Sequence, residues 1–297
     1  MNDRLFLEML DKLYFHRDDN AIKSDNGRSL LIGSSKNFPN ATLIAAEAAI
    51  LSGNGYNAVS VPDEIYPIVF SRLSPLCIYE EISNENDEFE SDIDFSFLAK
   101  YNSVLFGNGA VVSEKNYQFM NRLISETDKN LLLDASALRL LSQYGTDALA
   151  KKKKETKILL TPHLGEANSL LNAGLHSRNP KDYLEKALAF CEKYQVYMLL
   201  KSISSILVTP EKKYFISSYP STPSLGKAGS GDGLSGYLIG LLSFAEKYFS
   251  YSDIISFGNQ MIHLSMKELE KKSSPALHSI LSLKDGMKLY LESFKKQ

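Results

Sequence analysis

The sequence predicts an α/β protein with a mainly parallel central sheet and helices on both faces, a three-layer α/β/α architecture. Two observations carry that expectation. From residue 29 to about residue 217, short apolar runs alternate with amphipathic or alanine-rich stretches, the pattern of repeated βα units. Beyond that point the pattern changes to helices alone. The 297 residues are 44% hydrophobic and 23% charged, ordinary globular values that allow a large core. No internal repeat or low-complexity linker divides them, so one domain over 1–297 is expected, with residues 1–25 as a helix and loop leading into it.

Taken in order, residues 3–14 place Leu5, Leu7, Leu10, Leu13 and Tyr14 near helical spacing, and residues 17–28 are polar and loop-like. Residues 29–33 form a short apolar run ending in glycine, a strand. Residues 41–51 are alanine-rich and read as a helix closed by Gly53. Residues 57–61 predict a strand and 63–72 a helix with an acidic first turn. The carboxylate-rich stretch 80–94 reads as a solvated surface loop; a metal site is the lesser alternative, since nothing else marks one. Residues 103–106 are apolar and lead into Gly107-Asn108-Gly109. Residues 114–126 are helical, 131–134 a strand ending on an acid, and 137–144 a helix. The lysine run 151–154 lacks interleaved aromatics, so it reads as a solvated helix end rather than a nucleic-acid patch. A strand over 157–160 precedes Thr161-Pro162-His163. Helices over 164–171 and 182–194 follow, then strands over 196–200, 205–208 and 214–217. Residues 234–248, 253–269 and 276–294 predict three long helices.

Composition also excludes several classes. A formal net charge of −2 gives no global field for nucleic acid or an anionic membrane, so an anionic substrate needs a local site. Cys77 and Cys191 fit neither a zinc spacing nor a disulfide framework; reduced, buried thiols in a cytoplasmic protein are expected. The amino terminus lacks the apolar core of a signal peptide, and no stretch approaches the ~20 apolar residues of a membrane span.

In an open parallel sheet, ligands bind at the carboxyl ends of the strands. That rule points to Gly33-Ser34, to Gly107-Asn108-Gly109, to Asp134 and to Thr161-Pro162-His163. The most informative stretch is Gly229-Ser230-Gly231-Asp232-Gly233, with glycines at alternate positions before an apolar helix. Glycine permits close backbone approach, and free N–H groups at a helix start attract phosphate oxygens. An aspartate there suits a base that removes a hydroxyl proton during attack on a phosphoryl group. A plain helix N-cap is the other reading of Asp232. Gly231, Gly233 and Gly236 also spell G-x-G-x-x-G, but no strand runs directly into them, as a dinucleotide fingerprint requires. No G-K-[ST] follows, so a P-loop is absent.

His163 and Glu166 share a helix face. Two ligands are too few for zinc, and a helix start with Glu166 in its first turn is the simpler reading. Lys201, Ser202, Ile203, Ser204 and Ser205 end a strand with a lysine and three hydroxyls, able to hold phosphate or ribose; a solvent-facing lysine is the commoner reading of such a segment.

Together these pieces resemble the ADP-dependent NAD(P)H-hydrate dehydratases of the ribokinase-like superfamily. Residues 33–41 (GSSKNFPNA) are similar to that family's G-G-S-x-x-Y-P-G-A, and Leu51-Ser52-Gly53-Asn54-Gly55 to R-S-G-A-G. Residues 161–166 match T-P-H-x-G-E, residues 201–205 resemble K-x-x-x-T, and residues 229–236 match G-[TS]-G-D-x-L-[AS]-G. The resemblance implies a ribokinase-like fold and a repair reaction. Hydrated NADH or NADPH would be phosphorylated on its ring hydroxyl from ADP, or from ATP, and phosphate then eliminated. Asp232 would be the base, with Gly229, Ser230 and Gly231 stabilising phosphoryl charge. Lys201, Ser202, Ile203, Ser204, Ser205 and Gly231 would hold the nucleotide. Ala41, Gly109, His163 and Asp232 would contact the hydrated dinucleotide. Mg²⁺ would ride on the phosphates with few direct protein ligands, and a homo-oligomer is implied.

The chain also departs from the family pattern. G-P-G-L-G appears as Gly107-Asn108-Gly109-Ala110-Val111, and the D-A-D turn as Asp134-Ala135-Ser136. Thr222 replaces an asparagine, Ser34 the second glycine of G-G-S, and Asn40 the glycine of Y-P-G-A. Most departures fall on the substrate or phosphate side rather than on Asp232. They leave open a related small-molecule kinase, as for a vitamin precursor, or a nucleotide-binding protein that has lost catalysis. The epimerase domain often fused to this family has no room in 297 residues.

Overall fold

A computed structural model describes every residue except Arg17, Asp19, Lys296 and Gln297. The loop predicted over 17–28 therefore falls partly outside the described residues. Helix α1 (Asp3–Leu10) continues as one wide turn over Asp11–Phe15. There follow β1 (Arg28–Ile32), α2 (Ala41–Leu51), β2 (Tyr56–Ser60), α3 (Tyr66–Phe70) and β3 (Cys77–Tyr79). A small hairpin, β4 (Asn84–Glu85) and β5 (Glu88–Phe89), precedes β6 (Ser103–Phe106). Next come α4 (Glu114–Glu126), β7 (Asn130–Leu133), α5 (Ser136–Tyr144), β8 (Ile158–Leu160), α6 (Leu164–Leu170) and α7 (Leu184–Tyr194). The chain then forms β9 (Tyr197–Leu200), β10 (Ile206–Val208) and β11 (Tyr214–Ile216), and closes with α8 (Ser230–Leu242), α9 (Tyr251–Glu270) and α10 (Leu283–Phe294).

Nine strands form one sheet in the order β11-β10-β9-β8-β7-β6-β1-β2-β3, parallel except for β10, which runs against both its neighbours. Alternation along the strands divides the core in two. Leu31, Leu105, Leu132 and Leu159 face α1, α2, α8, α9 and α10. Leu30, Ile32, Phe106, Leu131 and Leu133 face α4, α5, α6 and α7. This is the expected three-layer α/β/α arrangement. The register levels the strand ends, because Ile32 pairs with Phe106, Phe106 with Leu133 and Leu133 with Leu160. Gly33, Gly107, Asp134 and Thr161 consequently emerge side by side.

Helices α2 and α8 approach closely because small residues meet. A Cβ on Gly236 would stand 2.0 Å from the Ala45 carbonyl oxygen, and one on Gly240 2.3 Å from Ser52 Oγ. The alanines of α2 also favour helix intrinsically.

Four of the predicted elements need correction. The helix predicted over 63–72 is only Tyr66–Phe70, with no acid in its first turn. Pro67 is accommodated at the helix start, while Asp63 is held in the preceding turn, accepting from the Tyr79 hydroxyl (3.2 Å) as its own N–H donates to Asn84. Residues 80–94 are not a wholly solvated loop. Asn86 and Asp87, at φ of 53° and 64°, turn the β4–β5 hairpin, and Ile82 and Phe89 are buried. Helix α8 begins four residues before the predicted start and ends at Leu242; residues 245–247 form a separate tight turn. The last helix begins at Leu283, because residues 275–282 make two short turns that press Ile280 against Gly233. Cys191 is buried as expected, but Cys77 is only half-buried; both are free thiols. Among the described residues no helix is long and apolar enough to cross a membrane.

Candidate active site

The site gathers at the level ends of β6, β7, β8 and β9 and the start of α8. Gly229, at φ 86°, adopts the left-handed conformation that lets the chain turn into α8 without a side-chain cap. Asp232 is thus the third helical residue and not the N-cap, which removes the capping reading of its role. The first-turn N–H groups of Gly231 and Asp232 make no backbone hydrogen bond among the described residues, the usual state of a helix start, which leaves them able to meet an anion.

Asp232 is fixed from the neighbouring strand end. Asn108 Nδ2 donates to Asp232 Oδ1 at 2.6 Å and to Ser235 Oγ at 3.0 Å, and the Ser235 hydroxyl donates to the Asp232 carbonyl at 3.0 Å. Burial pushes the Asp232 carboxyl up to about 6; the Asn108 hydrogen bond and Lys201 oppose the rise, and Asp134 and Glu166 add to it. At neutral pH the group is ionised yet basic enough to accept a proton.

Beside it lies a charged pair. Lys201 Nζ meets Asp134 Oδ1 at 2.7 Å, with the Asp134 side chain 1% exposed. A Cβ on Gly231 would stand 3.3 Å from that ammonium and 4.0 Å from Asp134 Oδ2, so only glycine leaves the backbone open to it. Asp134 also accepts from the N–H of Ala135, whose φ of 50° and ψ of −113° hold the turn out of the ordinary regions.

His163 caps α6. Its Nδ1 accepts from the N–H groups of Gly165 (3.0 Å) and Glu166 (3.2 Å), and its own N–H donates to Glu166 Oε2 (2.9 Å). The helix-start reading of this motif is therefore the observed one, as a reciprocal capping box. Burial pushes the Glu166 carboxyl above its usual range, with Lys201 opposing.

A cavity of about 320 Å³ opens between the start of α8, the end of β9 and α9. His163, Lys201, Ser202, Ser205, Ser230 and Gly231 form its polar wall; Leu234 and Ile262 are among its apolar contributors. Ser202 Oγ, Ser230 Oγ and Asn259 Oδ1 are buried on this wall without hydrogen-bond partners among the described residues, as expected where a polar ligand completes the site. Ile203 does not line it and is 73% exposed; nor does Ser204 line it. A cavity of about 400 Å³ at the opposite ends of the strands holds mutually paired charges, Lys129 with Asp128 and Lys157 with Glu246.

The predicted substrate residues divide. Ala41 and Gly109 adjoin, since a Cβ on Gly109 would stand 2.7 Å from that of Ala41, whereas His163 lies on the cavity wall with Lys201. Sequence reasoning singled out Asp134 and Asn108 only as strand ends and departures. It missed their links to Lys201 and Asp232, which depend on side-chain direction across neighbouring strands.

The family model described as NAD(P)H-hydrate dehydratase matches residues 29–269. A bifunctional NAD(P)H-hydrate repair enzyme of Salinibacter ruber is 30% identical over 231 residues, covering 76% of this chain and 42% of that protein. The chain thus spans less than half the length of the bifunctional relatives. An ADP-dependent (S)-NAD(P)H-hydrate dehydratase of Lactiplantibacillus plantarum is 24% identical over 250 residues, covering 84% and 82%. In structure, the chain is similar to the ADP/ATP-dependent NAD(P)H-hydrate dehydratase of Bacillus subtilis co-crystallised with ATP and Mg²⁺, with a TM-score of 0.76, 22% identity and 94% of each chain covered. Arabidopsis thaliana ribokinase matches at a TM-score of 0.55 and 13% identity, covering 89% of this chain and 98% of that one, so the fold is ribokinase-like.

Proposed function

The chain belongs to the NAD(P)H-hydrate dehydratase family, and on that premise we propose that it restores hydrated NADH or NADPH at the expense of an adenine nucleotide. Asp232 removes the proton of the ring hydroxyl, and the oxygen attacks the terminal phosphoryl group of ADP or ATP. The bond to the departing nucleotide breaks as the new P–O bond forms. The ring C–O bond then breaks, phosphate leaves, and the neighbouring ring carbon gives up a proton to re-form the double bond. With ADP the products are NAD(P)H, AMP and phosphate.

The observation that carries this reading is the Asp232 carboxylate, in the open first turn of α8, held by Asn108 and raised to about 6. The amides of Gly231 and Asp232 meet the developing phosphoryl charge. Lys201, Ser202, Ser205 and Ser230 hold the nucleotide on the cavity wall, while Ala41 and Gly109 form the platform for the dinucleotide. Mg²⁺ would be carried on the nucleotide phosphates, as the family resemblance implies, and would supply charge neutralisation there. A cytoplasmic setting is expected from the two widely spaced cysteines of the sequence. A homo-oligomer is expected from the family resemblance, and sedimentation checks it.

The test is recovery of the reduced-nicotinamide absorbance band when the protein meets hydrated NADH, Mg²⁺ and ADP, then ATP. Recovery names the donor. No recovery from folded protein with either nucleotide removes the repair reading. Phosphorylation of a small alcohol would then establish the kinase alternative, for which the altered loops at Asn108–Val111 and Ser136 are the leading reason.

A further inference from the structure

Asn108 stands where the resembled G-P-G-L-G motif has proline, a residue with no side-chain donor. We infer that Asn108 is a positioning residue that clamps one oxygen of the base, Asp232 Oδ1, leaving Oδ2 for the substrate hydroxyl and favouring the ionised carboxylate. This deepens the repair reading and rests on it for the role of Asp232.

The geometry makes the clamp rigid. Asn108 is 1% exposed, so it reaches no bound ligand directly. Its carbonyl accepts from Ser34 N–H at 2.6 Å, tying its backbone to the end of β1. Its Nδ2 bridges Asp232 and Ser235, three residues apart on one face of α8. Its Oδ1 has no partner among the described residues. Turning the amide over would set that oxygen against the carboxylate, so ionised Asp232 itself selects the donating orientation.

The charged groups acting on Asp232 are Asp134 from the end of β7, Lys201 from the end of β9 and Glu166 from α6. Two carboxylates oppose one ammonium. A neutral donor at Asn108 is therefore the device that lowers proton affinity without adding charge. The proton of the substrate is taken by Oδ2, and no other bond of the enzyme changes.

The experiment follows the Asp232 carboxyl carbon by NMR in aspartate-labelled protein, its signal assigned by its loss in Asp232→Asn. Asn108→Ala should raise the midpoint by about one pH unit, a tenfold gain in proton affinity. Asn108→Asp should raise it further, because a like charge replaces the donor. The acid limb of kcat/KM should move in the same order. An unchanged midpoint in folded Asn108→Ala, or an Asn108→Asp midpoint no higher than that of Asn108→Ala, overturns the inference. If Asn108→Ala does not fold, Asn108→Pro removes the same donor and gives the same reading. The NMR midpoint is read without substrate, so a wild-type protein inactive on hydrated NADH defeats the repair reading while leaving the clamp to its own result.

Discussion

The two walls of the cleft solve their backbone problem differently. On the wall proposed for phosphate, the left-handed turn into α8 is made by Gly229 at φ 86°, and the sequence there keeps the family motif. On the wall proposed for the dinucleotide, the left-handed position after β1 is filled by Ser34 at φ 66°, where the family motif has glycine. Ser34 offsets the strain with side-chain bonds: its Oγ hydrogen-bonds Thr42 Oγ1 (2.9 Å) and accepts from Thr42 N–H (3.1 Å) at the start of α2. A glycine turn leaves the amides bare for a ligand; a serine turn spends its polar atoms on the fold. The phosphate wall is shaped for charge and the other wall for a fixed surface.

Substitutions can break that contrast. The largest effect is expected at Asp232→Asn, which keeps the shape and removes the proton acceptor, so kcat should fall by about 10²–10⁴-fold. Near-normal turnover would take Asp232 out of the mechanism. Lys201→Ala should come next, because it strands buried Asp134 without its partner. A loss on the order of 3–5 kcal/mol in denaturant unfolding is expected, with weaker nucleotide binding by calorimetry. An unchanged unfolding midpoint would show the pair to be ornamental.

The pH dependence sharpens the same wall. Folded Asp232 titrates near 6 against an ordinary 3.8, so the folded state holds the extra proton between those values. The contribution to stability is fully present below 3.8 and is lost as pH rises through 6, a change of about 2–3 kcal/mol. Comparing urea unfolding of wild type and Asp232→Asn across this window should show that slope only in the wild type. In the same window kcat/KM should fall as pH drops below about 6, since the base is then protonated.

The smallest effect concerns the other wall. Ser34→Ala loses the bonds to Thr42 and keeps the unfavourable φ; Ser34→Gly loses the bonds but relieves the backbone. The glycine variant should be the more stable by about 1 kcal/mol in thermal melts. Equal melting would mean that the turn carries no strain.

Much of this was legible from residue order alone. Short continuous apolar runs placed the strands, and the strand ends named the rim, because parallel register brings successive carboxyl ends level. The glycine-flanked Asp232 was legible because few structural needs explain so many glycines together. The Asp134–Lys201 pair was not, since it joins residues 67 positions apart whose meeting depends on β7, β8 and β9 being adjacent. The Asn108 clamp was hidden for the same reason. The hairpin at residues 80–94 was lost under its acids, although Asn86-Asp87 is a two-residue turn that tolerates positive φ. The late start of α10 followed from Ile280 being needed against Gly233, a tertiary demand that local periodicity does not show.

The seam between α2 and α8 has a mechanical meaning. The helix that begins at Ala41 and the helix that carries Asp232 touch backbone to backbone, through Gly236 on the Ala45 carbonyl and Gly240 beside the Ala49 carbonyl. Such a contact has no long side chains to slide or re-mesh, so the two helices travel as one lever. The platform proposed for the dinucleotide and the proposed base therefore stand on one rigid mount, their spacing set by the fold before any ligand arrives.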